Sequence, residues 1–266
     1  MTAVYNDQEG LEATLGSLPV DCEMDVFVVD DGSSPPIQLP PFYTESLSSQ
    51  KVGVFLVRLE KNGGAAKARN AGLARIWERG YEYVAILDAG DIALPGRFSK
   101  TVEFLDKNPE YALVGGQVRF VATDGYEVPE PFPLDFNSIV RGMHARGCFS
   151  HSSVTFRADV LREIGGYRED FVAAHDYELF WRIIRRGYKV ANLPDVLVEY
   201  RLNPRGITVR RRRKQIWNRL RVMLINFDPR VPESYLGVIK QLLLLALPFP
   251  WVWRIKRMLP KRPGWL

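Results

Sequence analysis

Short apolar, β-branched runs alternate with helical periods along the first half of the chain. Asp25–Asp30 (DVFVVD), Val52–Arg58 (VGVFLVR) and Tyr83–Asp88 (YVAILD) read as strands. Between them, Gln8–Leu18, Ala65–Arg79 and Pro95–Lys107 carry apolar residues at helical spacing, and Pro95 suits a helix's first position. This alternation predicts an α/β fold with a mainly parallel central sheet and helices on both faces. Thr2–Asn6 (TAVYN) reads as the closing part of a further strand, short enough to raise the expectation of a late start or a trimmed chain. The Ser- and Pro-rich stretch from Gly32 to Gln50 reads as a surface connection. After Tyr111 the pattern changes to longer strands and irregular loops, with a strand at Ser152–Phe156. Helices follow at Ala158–Ile164 and Asp176–Arg186, closed by Gly165-Gly166 and Gly187. A basic helical stretch (Thr208–Asn226) and an apolar one (Ser234–Leu247) complete the pattern.

The 266 residues fit one large domain or a domain with an appendage. With 46% hydrophobic and 25% charged residues, disorder, collagen and coiled coil are excluded as the main architecture. Cys22 and Cys148 are too few for a disulfide framework or a thiolate zinc site, which points to a reduced, cytosolic chain. No basic, apolar leader opens the sequence, so nothing argues for secretion. The net charge of +5 conceals an asymmetry. From Arg201 onward 16 Lys and Arg face two acids, a net of +14, which leaves −9 on the first 200 residues. An acidic body with a basic tail implies an anionic partner for the tail, nucleic acid or a membrane surface.

Four clusters carry possible chemistry. Asp30 and Asp31 end an apolar strand, the edge at which open α/β sheets bind ligands, although Asp-Asp-Gly-Ser also makes an ordinary turn. Asn62-Gly63-Gly64 opens a helix bearing Lys67 and Arg69, and its free N–H groups suit an anion. Neither GxGxxG nor GxxxxGK[ST] is present, so dinucleotide and P-loop readings fail on spacing. Asp88-Ala89-Gly90-Asp91 follows another strand end and suits a divalent cation with a diphosphate. Asp176, in His175-Asp176-Tyr177-Glu178, is either a first-turn acid favoured by the helix dipole or a general base facing the ligand.

In this order the motifs resemble family 2 glycosyltransferases of the GT-A fold. Tyr5-Asn6 stand at the first-strand YN; Val28–Ser33 (VVDDGS) matches the acidic nucleotide motif. Asn62–Gly72 (NGGAAKARNAG) matches the N-x-G-x-x-x-A-R-N-x-G segment, and Leu87–Pro95 (LDAGDIALP) occupies the DXD position. His151–Arg201 reads as the acceptor half. The resemblance covers about residues 2–210. It implies a GT-A domain over 1–205, with a nucleotide-binding half to about 115 and an acceptor half beyond, followed by a basic, partly apolar helical extension over 206–266. It further implies an inverting transfer of sugar from a nucleotide donor, expected to be UDP-linked, to a glycan or lipid-linked hydroxyl in bacterial surface-polysaccharide assembly. Tyr5 would stack on the base and Asp31 would bond its edge. Asp30 would lie near the ribose, Arg69 near the base or diphosphate, and Asp88 near the ribose or cation. Asn62, Gly63, Lys67 and Arg201 would complete the donor site, Asp88 and Asp91 would hold Mg²⁺ or Mn²⁺, and Asp176 would be the catalytic base.

Three departures bear on that reading. Gly90 stands where DXD has its second aspartate, His175 where the base is usually preceded by Glu, and Asn203 where a metal-binding His is common. They predict weaker metal dependence than is typical, or a non-catalytic nucleotide-sugar-binding module. A sugar-1-phosphate nucleotidyltransferase is disfavoured because VYNDQEG stands where its glycine-rich basic loop belongs. The apolar run Leu242–Trp253 is too short to span a membrane, for which about 20 residues are needed. With Trp251, Trp253, Arg254, Lys256 and Arg257 it fits an interfacial anchor. The expectation is a cytoplasmic protein, peripheral on the inner face of the cell membrane, that does not bind nucleic acid.

Overall fold

A computed structural model describes residues 1–19, 23–39, 53–122, 125–127, 131–201 and 212–246. Three short strands, β1 (Thr2–Val4), β2 (Val26–Asp30) and β3 (Val54–Arg58), pair in parallel in the order β1-β2-β3. All five β2 residues are buried, as a central parallel strand covered on both faces requires. Its side chains alternate between two layers. Val26 and Val28 join Leu11 and Leu15 of α1 (Gln8–Gly16), while Phe27 joins Leu73 and Ile76 of α2 (Ala65–Trp77) on the opposite face.

The remaining strands are β4 (Tyr83–Ala85), β5 (Ile92–Ala93), β6 (Tyr111–Ala122), β7 (Gly125–Glu127), β8 (Thr155–Arg157) and β9 (Lys189–Arg201). Their order is β4-β8-β6-β9-β5, with β7 on β6. The two sheets meet at the first residue: Met1 N donates to Ala85 O at 2.7 Å and Leu87 N donates to Met1 O at 3.2 Å. Parallel pairing joins the first three strands. Beyond them the sheet is mixed, with β6 and β9 parallel and the pairs β4–β8, β6–β8, β6–β7 and β5–β9 antiparallel.

The expected elements form with adjusted ends. The third strand stops at Ala85, because Ile86 and Leu87 bond to Val154 and Met1 instead. The helix expected from Pro95 begins at Arg97 as α3 (Arg97–Lys107), since Gly96 turns the chain left-handed at φ 80°. Ser152–Phe156 divides into a 3₁₀ turn, His151–Ser153, and β8. Beyond Tyr111 the expected longer strands are β6 and β9, and the sequence pattern does not announce helix α4 (Phe136–Met143) between them. Helices α5 (Ala158–Ile164) and α6 (His175–Arg185) follow, then a hairpin of α7 (Arg212–Ile225) and α8 (Pro232–Ala246). The expected boundary at 205 and the tail from 247 lie outside the described residues. No helix among the described residues is long and apolar enough to cross a membrane.

Candidate active site

The site gathers at the carboxyl ends of β1, β2, β3 and the chain following β4, the rim at which open parallel sheets bind ligands. Asp30 ends β2 fully buried, and its oxygens accept the amides of Ser33 (2.8 Å) and Ile37 (3.2 Å). It therefore folds the turn, and Arg58 Nη1 lies 3.8 Å from it. Asp31 accepts from Asn62 Nδ2 (3.0 Å), Gly63 N (2.7 Å) and Gly64 N (2.9 Å). Burial raises its carboxyl, against the pull of those amides and of Lys67. The glycine amides expected to face an anion are thus given to Asp31. The turn packs tightly: Gly32 has φ 71°, and a Cβ there would lie 2.5 Å from the Lys61 backbone. Tyr5 follows β1 with 47% of its surface exposed, an open ring beside this turn. The Asn6 amide donates to Ser33 Oγ at 2.8 Å, tying the two strand ends together.

Two residues along α2 from Lys67, Arg69 is buried beneath the rim. Its Nη2 donates to Asp88 Oδ1 and its Nη1 contacts His175 Nε2, both at 2.6 Å. Burial works to raise the Asp88 carboxyl, but the Arg69 charge, joined by His151, holds it far below the usual carboxylate range. Burial, reinforced by Arg69, pushes His175 down to about 3, so the imidazole is neutral and accepts the Arg69 N–H through Nε2. Arg69 Nε and His175 Nδ1 are buried without a partner. His151 closes the cluster, with Nδ1 3.4 Å from Asp88 Oδ2 and Nε2 2.8 Å from the Tyr167 hydroxyl.

Asp176 occupies the first turn of α6, half-buried. Burial works to raise its carboxyl, while the imidazoles of His175 and His151 when protonated, the Tyr177 amide and the Arg219 charge work to lower it. The helix is entered through Ala174, a non-glycine residue held left-handed at φ 57°. Such strain persists where surrounding contacts over-determine the backbone. Arg69, Tyr167 and Tyr200 each feel the charge of both Asp88 and Asp176. Asp31 holds the turn that opens α2 and feels the Lys67 charge.

Asp91 and Arg201 serve differently from the expectation. Asp91 is buried, with Oδ2 accepting the Ser152 hydroxyl and Oδ1 the Arg201 amide at 3.2 Å. Burial, and then the Asp88 charge, raise its carboxyl to about 8. It fastens the start of β5 to the end of β9 and turns no oxygen toward a cation. The Arg201 side chain is exposed and reaches Glu199 at 3.5 Å. His151, Ser152 and Tyr167 were not singled out as site residues. His151 and Ser152 stand in the HSSVTF run, but only the fold brings them to Asp88 and Asp91.

A divalent cation does not fit the described residues as a resident group. Asp88 already has Arg69 on one oxygen and His151 near the other, Asp91 is inward, and no group of three or more Asp, Glu, His or Cys side chains among the described residues is placed to hold a metal. Asn203 lies outside the described residues.

A parallel acid-lined rim continued by a mixed sheet is the GT-A glycosyltransferase fold. The S. aureus TarS fragment 1–349 in complex with UDP shares it with a TM-score of 0.60 at 18% identity, over 91% of this chain and 69% of that one. So does the mannosyltransferase PcManGT from Pyrobaculum calidifontis, in complex with GDP-Man and Mn²⁺, with a TM-score of 0.59 at 20% identity over 97% of this chain and 72% of that one. The chain belongs to glycosyl transferase family 2, whose family model matches residues 1–165. The amylovoran biosynthesis glycosyltransferase AmsE of Erwinia amylovora is 37% identical over 158 residues, 59% of this chain and 58% of AmsE. The O-antigen biosynthesis glycosyltransferase WbnJ of Escherichia coli is 28% identical over 125 residues, 46% of this chain and 48% of WbnJ. The chain spans less than two thirds of the length of these curated relatives.

Proposed function

We propose that this protein is an inverting glycosyltransferase. It transfers a sugar from a nucleotide donor, UDP-linked in the first instance, to a hydroxyl of a glycan or lipid-linked acceptor in bacterial surface-polysaccharide assembly. What supports the reading is the family match over residues 1–165 together with the buried Arg69, which donates to Asp88 at 2.6 Å and also feels the charge of Asp176. Tyr5 offers its exposed ring to the base, and Asp31 with the Asn62–Gly64 turn bounds the nucleoside. Asp176 takes the proton of the acceptor hydroxyl as that oxygen attacks the anomeric carbon, an assistance worth about 10²–10⁴ in rate. A leaving diphosphate needs positive charge. Lys67 and Arg69 are the cations that α2 brings to this end of the site, and preorganised charge of this kind costs no reorganisation at the moment of reaction. Because the described residues offer no complete site for Mg²⁺ or Mn²⁺, no step of the reading is routed through a cation. The basic, Trp-containing tail places the enzyme peripherally on the cytoplasmic face of the membrane.

A thermal-shift screen of nucleotide sugars, with and without Mn²⁺, tests donor binding. A donor at a hundredfold excess over its Kd stabilises the folded state by about 2.7 kcal/mol. Failure of every UDP-, GDP- and dTDP-sugar to shift the melt contradicts the reading. The second reading, a nucleotide-sugar-binding module without catalysis, is favoured by His175 beside Asp176. It predicts equal donor hydrolysis by the native protein and Asp176→Asn.

A further inference from the structure

Helix α8 is inside out. Ser234, Gly237 and Gln241 face the protein, while Tyr235, Leu236, Ile239, Leu242 and Leu243 stand 47–63% exposed. Those five positions, spaced by one, three, three and one residues, form a single apolar stripe along about 12 Å of helix. The orientation is fixed by polar and steric latches. Ser234 Oγ lies 2.8 Å from His144 Nδ1, and Arg141 Nε donates to Glu233 at 2.6 Å. A Cβ at position 237 would lie 2.1 Å from His144 O, so only glycine permits this approach. Rotating the helix to bury its leucines would break all three. The exposed surface continues through the Phe227–Tyr235 ring contact at 4.9 Å to Leu224 and Ile225, with Trp217 two turns earlier on α7.

Monomeric proteins rarely leave so many large apolar side chains side by side in water. The surrounding charge identifies what covers them. Residues 212–246 hold seven Lys and Arg against Asp228 and Glu233, of which Glu233 is paired with Arg141. The chain then continues through residues 247–266 with Trp251, Trp253 and five more cations, and no acid. An exposed apolar stripe on a stretch of net charge +5, continued by a basic, acid-free sequence, matches a surface with acyl chains beneath anionic headgroups. A basic protein surface offers the wrong charge to a second copy of itself.

We propose that the exposed face of the α7–α8 hairpin docks on an anionic phospholipid bilayer, with α8 lying in the interface plane. This deepens the peripheral-membrane reading above and names the element that makes the contact. It is independent of the transfer chemistry.

The test is flotation of the full chain with vesicles containing phosphatidylglycerol and, separately, with pure phosphatidylcholine vesicles. The native protein, Leu236→Glu/Leu243→Glu, Leu236→Ser/Leu243→Ser and Trp251→Ala/Trp253→Ala are compared, each first shown to melt like the native protein. The proposal expects flotation of the native protein on anionic vesicles, reduced at least about tenfold by either hairpin variant. Flotation unchanged in both hairpin variants but lost in the Trp251/Trp253 variant overturns the hairpin contact and leaves the peripheral reading standing. No flotation of the native protein overturns both. A native dimer that the hairpin variants convert to monomer, with vesicle binding unchanged, assigns the face to a second copy and also overturns the proposal.

Discussion

Between Asp88 and His175 the Arg69 guanidinium makes two contacts of 2.6 Å from a buried position. Replacing it with methionine leaves Asp88 without its counter-charge and is expected to lower the unfolding free energy by on the order of 2 kcal/mol, as Asp88 retains some solvent. Denaturant melts check this. Arg69→Lys is expected not to restore stability, because a single ammonium cannot replace a fork that reaches both partners. Asp91 gives a pH prediction. Its ordinary value of 3.8 is raised to about 8 in the fold. The stability it contributes is therefore complete below about pH 4, declines as pH rises, and is lost above about 8. The stability difference, native minus Asp91→Asn, is expected to fall by up to about 1.4 kcal/mol per pH unit between pH 5 and 8. Taking the difference cancels His175 and the terminal amine. A pH-independent difference contradicts the buried, protonated Asp91. These two residues also mark what the sequence discloses at this scale. Arg69 stands in a recognisable run, whereas nothing local tells that Asp91 points inward and Asp88 outward.

At the scale of elements, Asp31 holds the turn that starts α2 through three hydrogen bonds. Asp31→Ala is expected to accelerate amide exchange at Gly63 and Gly64 and to weaken donor binding at least about tenfold, as loss of a charge-assisted bond implies. Exchange at α8 serves as the unaffected reference. Ala174→Gly relieves a left-handed alanine and is expected to raise stability by about 1 kcal/mol, measured by denaturant melts. The nucleotide-half elements were legible because their strands are short, apolar and separated by amphipathic helices. The rest was not, for physical reasons. Strands β6 and β9 are long, bulged against each other and carry polar residues such as Gln117 and Asn192 that bond loop carbonyls. The apolar stripe of α8 reads as a core-facing helix until the fold shows Gly237 pinned against His144.

For the whole molecule, the charge asymmetry and the proposed site fit one arrangement: an acidic body on a basic, apolar-faced hairpin. The described carboxylates leave no complete cation site, and Arg69 stands beside Asp88 instead. Chelation is therefore expected to lower donor turnover by less than about tenfold, against about 10²–10³ for Arg69→Met. In the proposed mechanism Asp176 acts as the base in a site that binds donor without it. Donor affinity and donor turnover measured together on the native protein and Asp176→Asn test this most directly. A base that does not bind donor gives a Kd within about threefold and a turnover reduced about 10²–10⁴-fold in Asp176→Asn. Equal turnover, or a fall fully explained by lost binding, contradicts it.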